Sequence, residues 1–465
     1  MTIWTPSLEF DSRSARYRQI ASAIGEAIDQ GQLAAGDRLP PQRALADALG
    51  VTVGTITRAY SEAQQRGWVS SRVGSGTYVN DAAAGNSPFD VHVAADSDGV
   101  VDMSLSFAPP HPWRHQCLQQ ALAEVTEDPA CLAMVAAYQP DIGTRQHREA
   151  LSRWLEDLGF PLHEVLAITQ GGQHGIDLCL RALTRPGDSV AADALTYPGF
   201  NAATRHAHLK PMAVPLDDDG MDIDALARLC QRQVPRLVYL TPDQNNPTSA
   251  VLSPQRREQL AALARRHDFW LIEDAVQYLP REDRGVSLLE LAPERTLQVF
   301  STSKVLSGGL RVGTLQMPAT LRERIGSLLR AQSWMCPPLM TEVARRWIAS
   351  PRYPELLAWQ TAELAARQRL ARASFEALTP RHLTHGANFW LPLPEGRRAS
   401  EVQALLKSEG VLVATPEPFC TGSEPAPQAI RLCVGAPESR ESLQQALATV
   451  RRVLEQGDTS PWATL

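Results

Sequence analysis

The residues best suited to covalent chemistry lie in the stretch 301–311, which reads STSKVLSGGLR. The chain has 45 lysines and arginines, yet its only lysines are Lys210, Lys304 and Lys407. A lysine amine can lose its proton and form a Schiff base with a carbonyl compound, whereas an arginine guanidinium stays protonated. Lys304 is therefore a candidate nucleophile. Taken alone, a solvated lysine in a Gly/Ser loop is the simpler explanation of this stretch.

The groups around this lysine are suited to binding an anion. Ser301 and Ser303 supply hydroxyl groups, and Arg311 follows the lysine seven residues later. Hydroxyls, loop amides and a guanidinium are the donors that suit a phosphate. Residues 295–300 have the composition of a short buried strand, so Ser301 opens the loop. The stretch predicts an amine beside a phosphate cradle at the end of a strand.

Further polar residues follow other predicted strands. Residues 166–169 predict a strand, and Gly172 and Gln173 open the helix after it, where free amides can approach an anion. Tyr197 follows a second strand end, and Asn246 lies in the turn Asn-Asn-Pro-Thr after a third. Each of these residues, considered alone, also fits an ordinary turn or core position.

Two charged residues lie in strands that should be buried. Asp274 ends the apolar strand 269–274, and Arg431 stands between an isoleucine and a leucine in a strand near the C-terminus. Burial of an unpaired charge is costly, so a partner is expected for each. A bidentate carboxylate ligand would suit Arg431, and a structural salt bridge explains it nearly as well. Asp274 is also compatible with a helix cap or a surface acid.

The first eighty residues predict a separate module. Their apolar spacing predicts helices over 16–29, 41–49 and 53–65, each followed by a glycine stop. Two short helices joined by a tight turn form a helix-turn-helix. The alternating stretch 68–79, around a Gly-Ser-Gly tip, predicts a hairpin wing. The alternative is a helical oligomerisation module with a solvated charged face.

The remainder of the chain predicts a linker and an α/β domain. Residues 81–99 are small, polar and interrupted by proline and glycine, as is typical of a flexible linker. From residue 100 to 465, strands rich in β-branched residues alternate with helices, which predicts α/β layers around a mainly parallel sheet. We expect a large part at about 140–335 and a smaller part at about 336–465.

Composition limits the classes of protein and partner. A chain of 465 residues with 44% apolar and 21% charged residues is typical of a soluble protein of two or three domains. Its seven cysteines are scattered, without metal-ligand spacing, so we expect reduced cysteines and no metal site. The absence of an apolar span or a signal-like N-terminus predicts a cytoplasmic protein that does not enter a membrane.

The pattern Ser-x-Ser-Lys-x-x-x-x-Gly-Leu-Arg-x-Gly resembles the lysine segment of class I/II aminotransferases, the fold-type I family that depends on pyridoxal 5′-phosphate. The resemblance implies a large α/β domain, a smaller C-terminal α+β domain and an internal aldimine on Lys304. In that family, serines and an arginine hold the phosphate, and further residues bind the pyridine ring. The implied cofactor-binding residues are Gly172, Gln173, Tyr197, Asn246, Asp274, Ser301, Ser303, Lys304 and Arg311.

The same resemblance assigns individual roles. The family stacks an aromatic ring on the pyridine at the place of Tyr197, and its asparagine at the place of Asn246 donates to the 3-hydroxyl. Its aspartate at the place of Asp274 pairs with the pyridinium nitrogen, so that the ring acts as an electron sink. Tyr138 matches a tyrosine that reaches the phosphate of the neighbouring subunit, which implies a homodimer with shared cofactor sites. Arg431 matches the arginine that binds the substrate carboxylate.

The N-terminal pattern Gly-x-Leu-x-x-Gly-x-x-Leu-Pro-x-x-Arg-x-Leu-Ala resembles the winged helix of GntR regulators. In that family the corresponding residues face double-stranded DNA. They are Arg43, Thr52, Thr55, Thr57, Arg58, Gly74 and Gly76. Val53 and Gly54 stand where many relatives carry polar residues, so direct base readout is expected to be sparse. Residues 1–80 contain eight arginines and seven acids, a net charge of +1, so strong binding requires a dimer on two half-sites.

A winged helix joined to an aminotransferase-like domain resembles the MocR-type branch of the GntR regulators. This implies a transcription regulator that senses an amine, an amino acid or pyridoxal phosphate itself through aldimine exchange at Lys304. The alternative is an active aminotransferase with an appended DNA-binding domain. Aminotransferases place a tyrosine two or three residues after the aspartate, whereas this chain has Val276 and Gln277 there, with Tyr278 one step late. That departure favours the regulator with poor turnover.

Overall fold

The structure is a computed structural model that describes residues 4–6, 8, 10, 15–29, 31–34, 36–65, 68–72, 76–79, 99–422 and 425–455. The chain divides into two compact units, Met1–His92 and Val93–Leu465. The predicted linker lies outside the described residues apart from Gly99, and the domain boundaries given above stay predictions. No helix within the described ranges is long and apolar enough to cross a membrane.

The first unit contains the predicted helix-turn-helix and wing. Its elements are α1 (Arg16–Asp29), α2 (Gln42–Leu49), α3 (Val53–Gln65), β1 (Val69–Arg72) and β2 (Gly76–Val79). The helix α2 ends at Gly50, whose φ of 61° lies in the left-handed region that glycine adopts without strain. The strands β1 and β2 pair antiparallel to form the hairpin. The winged helix-turn-helix architecture is confirmed.

Apolar residues on facing sides of these elements form one small core. It includes Ile20 and Ile24 of α1, and Ile56 of α3, all fully buried. A Cβ atom on Gly25 would lie 2.5 Å from the Trp68 ring, so only glycine allows the indole to pack against α1. The Tyr60 hydroxyl of α3 donates a 2.7 Å hydrogen bond to the backbone carbonyl of Pro40, just before α2. Packing of these side chains therefore fixes the orientation of α2 and α3 within this unit.

The second unit alternates strands and helices, as the α/β prediction requires. Its strands are β3 (Val101–Asp102), β4 (Val165–Thr169), β5 (Ser189–Asp193), β6 (Lys210–Val214), β7 (Leu216–Asp217), β8 (Gly220–Met221), β9 (Leu237–Leu240), β10 (Trp270–Asp274), β11 (Thr296–Ser301), β12 (Gly313–Met317), β13 (Arg381–His382), β14 (Asn388–Pro392), β15 (Val411–Leu412) and β16 (Ala429–Cys433).

The second unit also contains the following α-helices among its described residues. They are α4 (Pro112–Thr126), α5 (Pro129–Ala136), α6 (Arg145–Asp157), α7 (Gly172–Leu183), α8 (Pro198–His206), α9 (Ile223–Arg232), α10 (Pro254–His267), α11 (Leu288–Leu291), α12 (Arg322–Ser333), α13 (Pro338–Ala349), α14 (Arg352–Phe375), α15 (Ala399–Ser408) and α16 (Arg440–Glu455). Short 3₁₀ turns Thr302–Lys304 and Gly308–Leu310 follow β11.

Seven of the described strands form the main sheet, in the order β4-β12-β11-β10-β9-β5-β6. The pairs β11–β10, β10–β9, β9–β5 and β5–β6 are parallel, whereas β12 is antiparallel to both of its neighbours. Carboxyl ends of parallel strands meet at one edge, which is where ligands bind in such folds. The segments after β4, β5, β9, β10 and β11 therefore converge at that edge.

A smaller sheet and its helices form the C-terminal part. The strands β13, β14 and β16 pair antiparallel, and α14, α15 and α16 share an apolar core with them. The short strand β3, which follows residue 99, pairs parallel with β15 of this part. The predicted fold class, a winged helix-turn-helix followed by an α/β domain with a smaller α+β part, is confirmed.

Candidate functional site

Lys304 lies at the end of the 3₁₀ turn that follows β11. Its Nζ donates to the backbone carbonyl of Ser106, and its own carbonyl accepts a 2.9 Å hydrogen bond from Nε2 of Gln360. Burial lowers the pKa of Lys304 from 10.5 to about 8, and the positive charges of Arg431 and Arg311 act in the same direction. The fraction of neutral, nucleophilic amine at pH 7 therefore rises from roughly one in three thousand to about a tenth.

Two glycines, a serine and an arginine lie close together near this lysine. The helix α7 begins at Gly172, and its first-turn N–H groups have no partners within the helix. Gly171 has a φ of 82°, and a Cβ there would lie 2.5 Å from Nη2 of Arg311. A Cβ on Gly172 would meet Val276 at 2.7 Å and the Ser301 hydroxyl at 3.9 Å. The hydroxyl, the guanidinium and the helix N-terminus are thus close together, and all three are donors suited to an anion.

Ser301 and Ser303 are linked through the backbone of the loop. The buried Ser301 hydroxyl accepts a 3.3 Å hydrogen bond from the Ser303 N–H and so caps the 3₁₀ turn. Arg311 adopts a left-handed φ of 50° and its guanidinium is exposed, with Nη2 donating to the carbonyl of Gln170 at 3.3 Å. The exposed face of this guanidinium retains donors for a phosphate.

Gln173 and Tyr197 lie on the next side of the site. Nε2 of Gln173 donates to the Gly199 carbonyl at 3.0 Å, whereas its buried Oε1 has no partner. A Cβ on Gly199 would lie 2.3 Å from the ring of Tyr197, so glycine permits the ring to lie against α8. Burial raises the pKa of Tyr197 to about 12, which keeps its phenol protonated. Its half-buried ring is positioned to offer a face to a ligand.

Asp274 ends β10 with both carboxylate oxygens inside the protein. Oδ2 accepts a 2.6 Å hydrogen bond from the Tyr239 hydroxyl, and Oδ1 accepts one of 2.9 Å from the Val276 N–H. Burial raises the pKa of Asp274, while these two donors and the positive charge of Lys304 oppose that rise. The same carboxylate can therefore bind a ring N–H, because each oxygen has a second lone pair.

Arg431 and Asn246 form a buried pair. Nη1 of Arg431 donates to Oδ1 of Asn246 at 2.9 Å, and Nη2 donates to the backbone carbonyl of Ser104. Nε of Arg431 is buried and has no partner. The guanidinium carbon lies 5.1 Å from the centre of the Phe419 ring, and burial lowers the pKa of Arg431. An unpaired buried donor on a cation is the feature that a carboxylate ligand would satisfy.

Asn245, one residue before Asn246, has a structural role in the turn. Its Oδ1 accepts from the N–H and the hydroxyl of Thr248, while its Nδ2 donates to Asp193 and to the carbonyl of Leu195, both at 3.1 Å. Burial raises the pKa of Asp193 to about 7, although the hydrogen bond from Asn245 acts to lower it. These contacts fix the turn and thereby the direction of Asn246.

Tyr138 is not brought to Lys304 within this chain. Its ring is 82% exposed and contacts Trp334, with 5.8 Å between the ring centres. The indole of Trp334 is itself 58% exposed. The contribution of Tyr138 to a neighbouring subunit stays a prediction, and its exposure leaves it available for one.

Tyr278 stands one step beyond the positions at which the resemblance expects a tyrosine after Asp274. The Tyr278 ring packs on the main core, and the positive charge of Arg284 partly offsets the burial that raises the pKa of this phenol. The phenol that does reach Asp274 is Tyr239, from the neighbouring strand β9. Because Tyr239 is in register with Ile272, it lies on the same face of the sheet as Asp274, two residues further along.

The sequence interpretation missed three contributors to the site. Tyr239 was visible only as part of an apolar strand, and its role depends on strand register. Arg114 of α4 holds the lysine loop by donating to the carbonyls of Val305 and Leu306, at 3.1 and 2.5 Å. The backbone at Ser104 and Ser106 carries no side-chain signal for its carbonyl contacts. Contacts of these kinds depend on tertiary proximity alone.

The helix-turn-helix presents basic and hydroxyl residues on its surface. Arg43 near the start of α2 and Arg58 on α3 are exposed. The Thr52 and Thr55 hydroxyls lie 2.9 Å apart at the start of α3. The Thr57 hydroxyl donates to Oε1 of Gln42 at 2.8 Å, which ties the first turn of α2 to α3. The two helix starts are thus held together as one surface.

The wing tip is described only in part. Gly74 lies outside the described residues. Gly76 has a φ of 127°, and a Cβ there would lie 2.6 Å from Nε of Arg38. The observed reason for glycine at position 76 is therefore backbone conformation and the packing of Arg38, and its approach to DNA stays a prediction.

The residues present fit pyridoxal phosphate. The donors around Gly171 and Gly172 would bind a phosphate, the amine of lowered pKa interacts with Arg311 and Asp274, and the buried carboxylate of Asp274 would accept from a pyridinium N–H. No group of histidine, cysteine and acidic side chains among the described residues could hold a metal ion. The donor set therefore favours an organic phosphate.

Comparison with known proteins identifies the same two parts. The family model "Aminotransferase class I and II" matches residues 108–450, and "Bacterial regulatory proteins, gntR family" matches residues 16–79. An uncharacterized HTH-type transcriptional regulator of Bacillus subtilis, YdeF, is 28% identical over 97% of both chains. The vitamin B6 salvage pathway transcriptional repressor PtsJ of Salmonella typhimurium is 29% identical over 86% of this chain and 90% of its own.

Solved structures show the fold of the second unit. An archaeal alanine:glyoxylate aminotransferase superposes with a TM-score of 0.70 at 22% identity, over 77% of this chain and 91% of that one. This likeness concerns the fold alone. The chain therefore belongs to the class I and II aminotransferase family and carries a gntR-family DNA-binding domain at residues 16–79, an arrangement consistent with the MocR-type transcription regulators.

Proposed function

We propose that this regulator holds pyridoxal phosphate at Lys304 and uses it to sense an amine or amino acid. The observation that carries the proposal is the amine of Lys304, whose pKa burial lowers to about 8 and which interacts electrostatically with Arg311 and Asp274. A phosphate-binding arginine and a ring-binding carboxylate are thus near the one lysine of this loop. A cytoplasmic location follows from the role on DNA.

The chain supplies partners for each part of the cofactor. The first-turn amides at Gly172 and Gln173 would bind the phosphate, together with Ser301, Ser303 and Arg311. Tyr197 would lie on the pyridine ring, Asp274 would accept from its nitrogen, and Asn246 would donate to its 3-hydroxyl. When bound, pyridoxal phosphate supplies an aldehyde carbon that condenses reversibly with primary amines.

The effector class follows from Arg431. Its buried Nε has no partner, and its positive charge helps to lower the pKa of the nearby Lys304 amine, so a small molecule with an amine and a carboxylate would use both groups. PtsJ is named as a repressor of vitamin B6 salvage. That name supports a narrower version in which pyridoxal phosphate itself is the effector and Arg431 has no ligand.

DNA binding should depend on two copies of the chain. The net charge of +1 on residues 1–80 gives few phosphate contacts, so a single winged helix should bind weakly at physiological salt. A homodimer sharing cofactor sites through Tyr138 would present two winged helices to two half-sites and gain effective concentration. Arg43, Thr52, Thr55, Thr57 and Arg58 are the residues proposed to contact operator DNA, with Gly74 and Gly76 in the wing.

An active aminotransferase is the second candidate, because the lysine, the aspartate and the carboxylate-binding arginine are all present. Val276 and Gln277 argue against efficient turnover, since the phenol that normally follows the aspartate is absent and Tyr239 is occupied with Asp274. Loss of one positioned hydrogen bond costs roughly ten- to a thousandfold in rate. The proposed role is therefore sensing.

The test combines two measurements on the purified full-length protein. Visible absorption is recorded before and after addition of a panel of amines and amino acids, and the affinity for the DNA upstream of its own gene is measured in the same samples. We expect a cofactor spectrum that changes with an effector and a DNA affinity that changes with it. A protein without cofactor absorbance contradicts the proposal, and sustained turnover with a keto acid acceptor would establish the aminotransferase instead.

A further inference from the structure

Residues 103–107, called the strap below, cross the candidate site directly after β3. The strap begins at Met103, whose N–H donates to Leu412 and whose carbonyl accepts from Cys433, both at 2.8 Å. It ends at Phe107, whose N–H donates to Sγ of Cys433 at 3.3 Å. Both ends are therefore attached to the C-terminal part, while the backbone between them lies over the site.

The middle of the strap contacts both cations of the site through backbone carbonyls. The Ser104 carbonyl accepts from Nη2 of Arg431, and the Ser106 carbonyl accepts from Nζ of Lys304. The Phe107 ring centre lies 6.0 Å from the same Nζ. Carbonyl oxygens accept the same hydrogen bonds as a carboxylate, without its charge. The strap thus occupies the donors that the proposed function assigns to a ligand.

The pairing of Arg431 shows which edge of the guanidinium a ligand would use. Nη1 is held by Asn246 on one edge. The other edge consists of Nη2, bonded to the strap, and Nε, which is buried without a partner. A single carbonyl satisfies one of these two donors, whereas a carboxylate binds both in a bidentate, charge-assisted pair. A carboxylate is therefore the better partner for this edge.

We propose that the strap is an autoinhibitory ligand mimic, which caps Arg431 through the Ser104 carbonyl and is displaced by the carboxylate of the effector. This rests on the proposed role of Arg431 in effector binding. The effector can bind Arg431 only while the strap is open. Its apparent affinity is therefore the intrinsic affinity multiplied by the fraction of time that the strap is open. The strap also makes binding selective for carboxylates, because an amine without a carboxylate cannot pair with Nε and Nη2 of Arg431 after the strap has left. A carboxylate alone should be sufficient to open it.

Two serine side chains hold the strap closed without contributing charge. The Ser104 hydroxyl donates to Oδ1 of Asp102 at 2.6 Å, and the Ser106 hydroxyl donates to Oδ1 of Asn388 at 2.5 Å. Replacing both with alanine in the double variant Ser104→Ala/Ser106→Ala should loosen the strap and leave the charge around Arg431 unchanged. Ser374→Ala, which removes a 2.9 Å hydrogen bond to Leu370 within α14, is the matched control.

The experiment uses full-length protein loaded with pyridoxal phosphate and three probes with the same three-carbon chain: propionate, propylamine and β-alanine. In the unmodified protein, propionate and β-alanine should accelerate hydrogen exchange at the strap amides, and propylamine should not. In the double variant the dissociation constant for propionate should fall by about three- to tenfold, since each hydrogen bond lost from the closed state favours opening. Ser374→Ala should match the unmodified protein.

The outcomes separate this proposal from the function on which it rests. If Arg431→Met abolishes propionate binding but the double variant does not tighten it, the strap proposal is wrong and the role of Arg431 survives. If Arg431→Met leaves propionate binding unchanged, or propionate binds neither protein, the role of Arg431 itself fails. Strap amides that become more protected when propionate binds would also overturn the proposal, and this measurement needs no variant.

Discussion

Two buried arginines of the second unit differ in how completely the protein pairs them. Arg257 of α10 is fully buried, and every nitrogen of its guanidinium donates to a protein oxygen within 3.0 Å. Those oxygens belong to Leu252, Val286, Pro242 and Asp243. Arg431 is nearly as buried, yet one nitrogen has no partner and another is satisfied only by the strap. A saturated buried cation is a structural element, whereas an unsaturated one keeps capacity for a ligand.

Neighbouring acids on β10 show the same division. Glu273 faces away from the site, and its carboxylate accepts from the Ser287 hydroxyl, from Gln298 and from the N–H groups of Leu288 and Leu289. Asp274 faces the site and accepts from Tyr239 and one N–H. The number of donors that the protein itself supplies therefore distinguishes structural charges from functional ones, although burial and residue type are alike.

The largest expected effect is on the stability of the Arg257 cluster. Arg257→Ala leaves Asp243 partly buried without its cation, which should lower the free energy of unfolding by about 3–5 kcal/mol. Arg256→Ala, on the same helix, breaks a more exposed pair with Asp217 and should cost less than about 1 kcal/mol. Urea denaturation of both variants measures the difference. Equal losses of unfolding free energy in the two variants would show that the complete pairing of Arg257 adds no stability.

Arg431→Met should have the opposite effect, with little change in stability and a large loss of ligand affinity. It removes an incompletely paired buried cation, so the unfolding free energy should change by less than about 1 kcal/mol. Affinity for β-alanine should fall roughly a hundredfold, about 3 kcal/mol, because the carboxylate loses its charged partner. Calorimetric titration and thermal denaturation provide the two readouts. A large loss of stability with unchanged affinity would place Arg431 among the structural arginines.

A third contrast lies between the two units of the chain. Arg43→Ala removes an exposed cation from the proposed DNA surface and should cost roughly 1–3 kcal/mol of operator affinity at physiological salt. It should leave the cofactor spectrum unchanged, since Arg43 belongs to the first unit. Fluorescence anisotropy with labelled operator DNA is the measurement. A fragment of residues 1–80 that binds as tightly as the full chain would exclude the proposed need for a dimer.

The smallest expected effect concerns pH and Lys304. With a pKa of about 8, the amine gains a proton below that value, so it is mostly protonated at pH 7 and mostly neutral at pH 9. The rate of covalent cofactor attachment to protein stripped of cofactor should therefore rise about tenfold between pH 7 and pH 9 and level off above that. A rate that continues to rise beyond pH 10 would show an unperturbed lysine. Absorbance after mixing with pyridoxal phosphate follows this rate.

The fold and several parts of the site could be predicted from the sequence because their signals are local. Lys304 stands out by composition, Asp274 by its place at a strand end, and the winged helix by four elements in order. The α/β architecture follows from alternating periodicities, and the structure confirms it. Local patterns of this kind can be recognised in the sequence even though other residues of the same site lie far away along the chain.

The rest depends on contacts that no local pattern specifies. Tyr239 reaches Asp274 because of the register between β9 and β10. The strap meets Arg431 across 327 positions of sequence, through a backbone carbonyl that every residue type possesses. Gly76 shows the converse, because a glycine expected to approach DNA also accommodates the side chain of Arg38. Register and long-range packing therefore set the limit of the sequence argument.

The central claim is that Lys304 is the residue that holds the cofactor in this regulator. Borohydride reduction of the full-length protein with pyridoxal phosphate, followed by peptide mapping, tests it most directly. We predict one pyridoxyl adduct, on the peptide that contains Lys304, and none in Lys304→Ala. An adduct on Lys210 or Lys407 in the unmodified protein, or no adduct at all, would contradict the account.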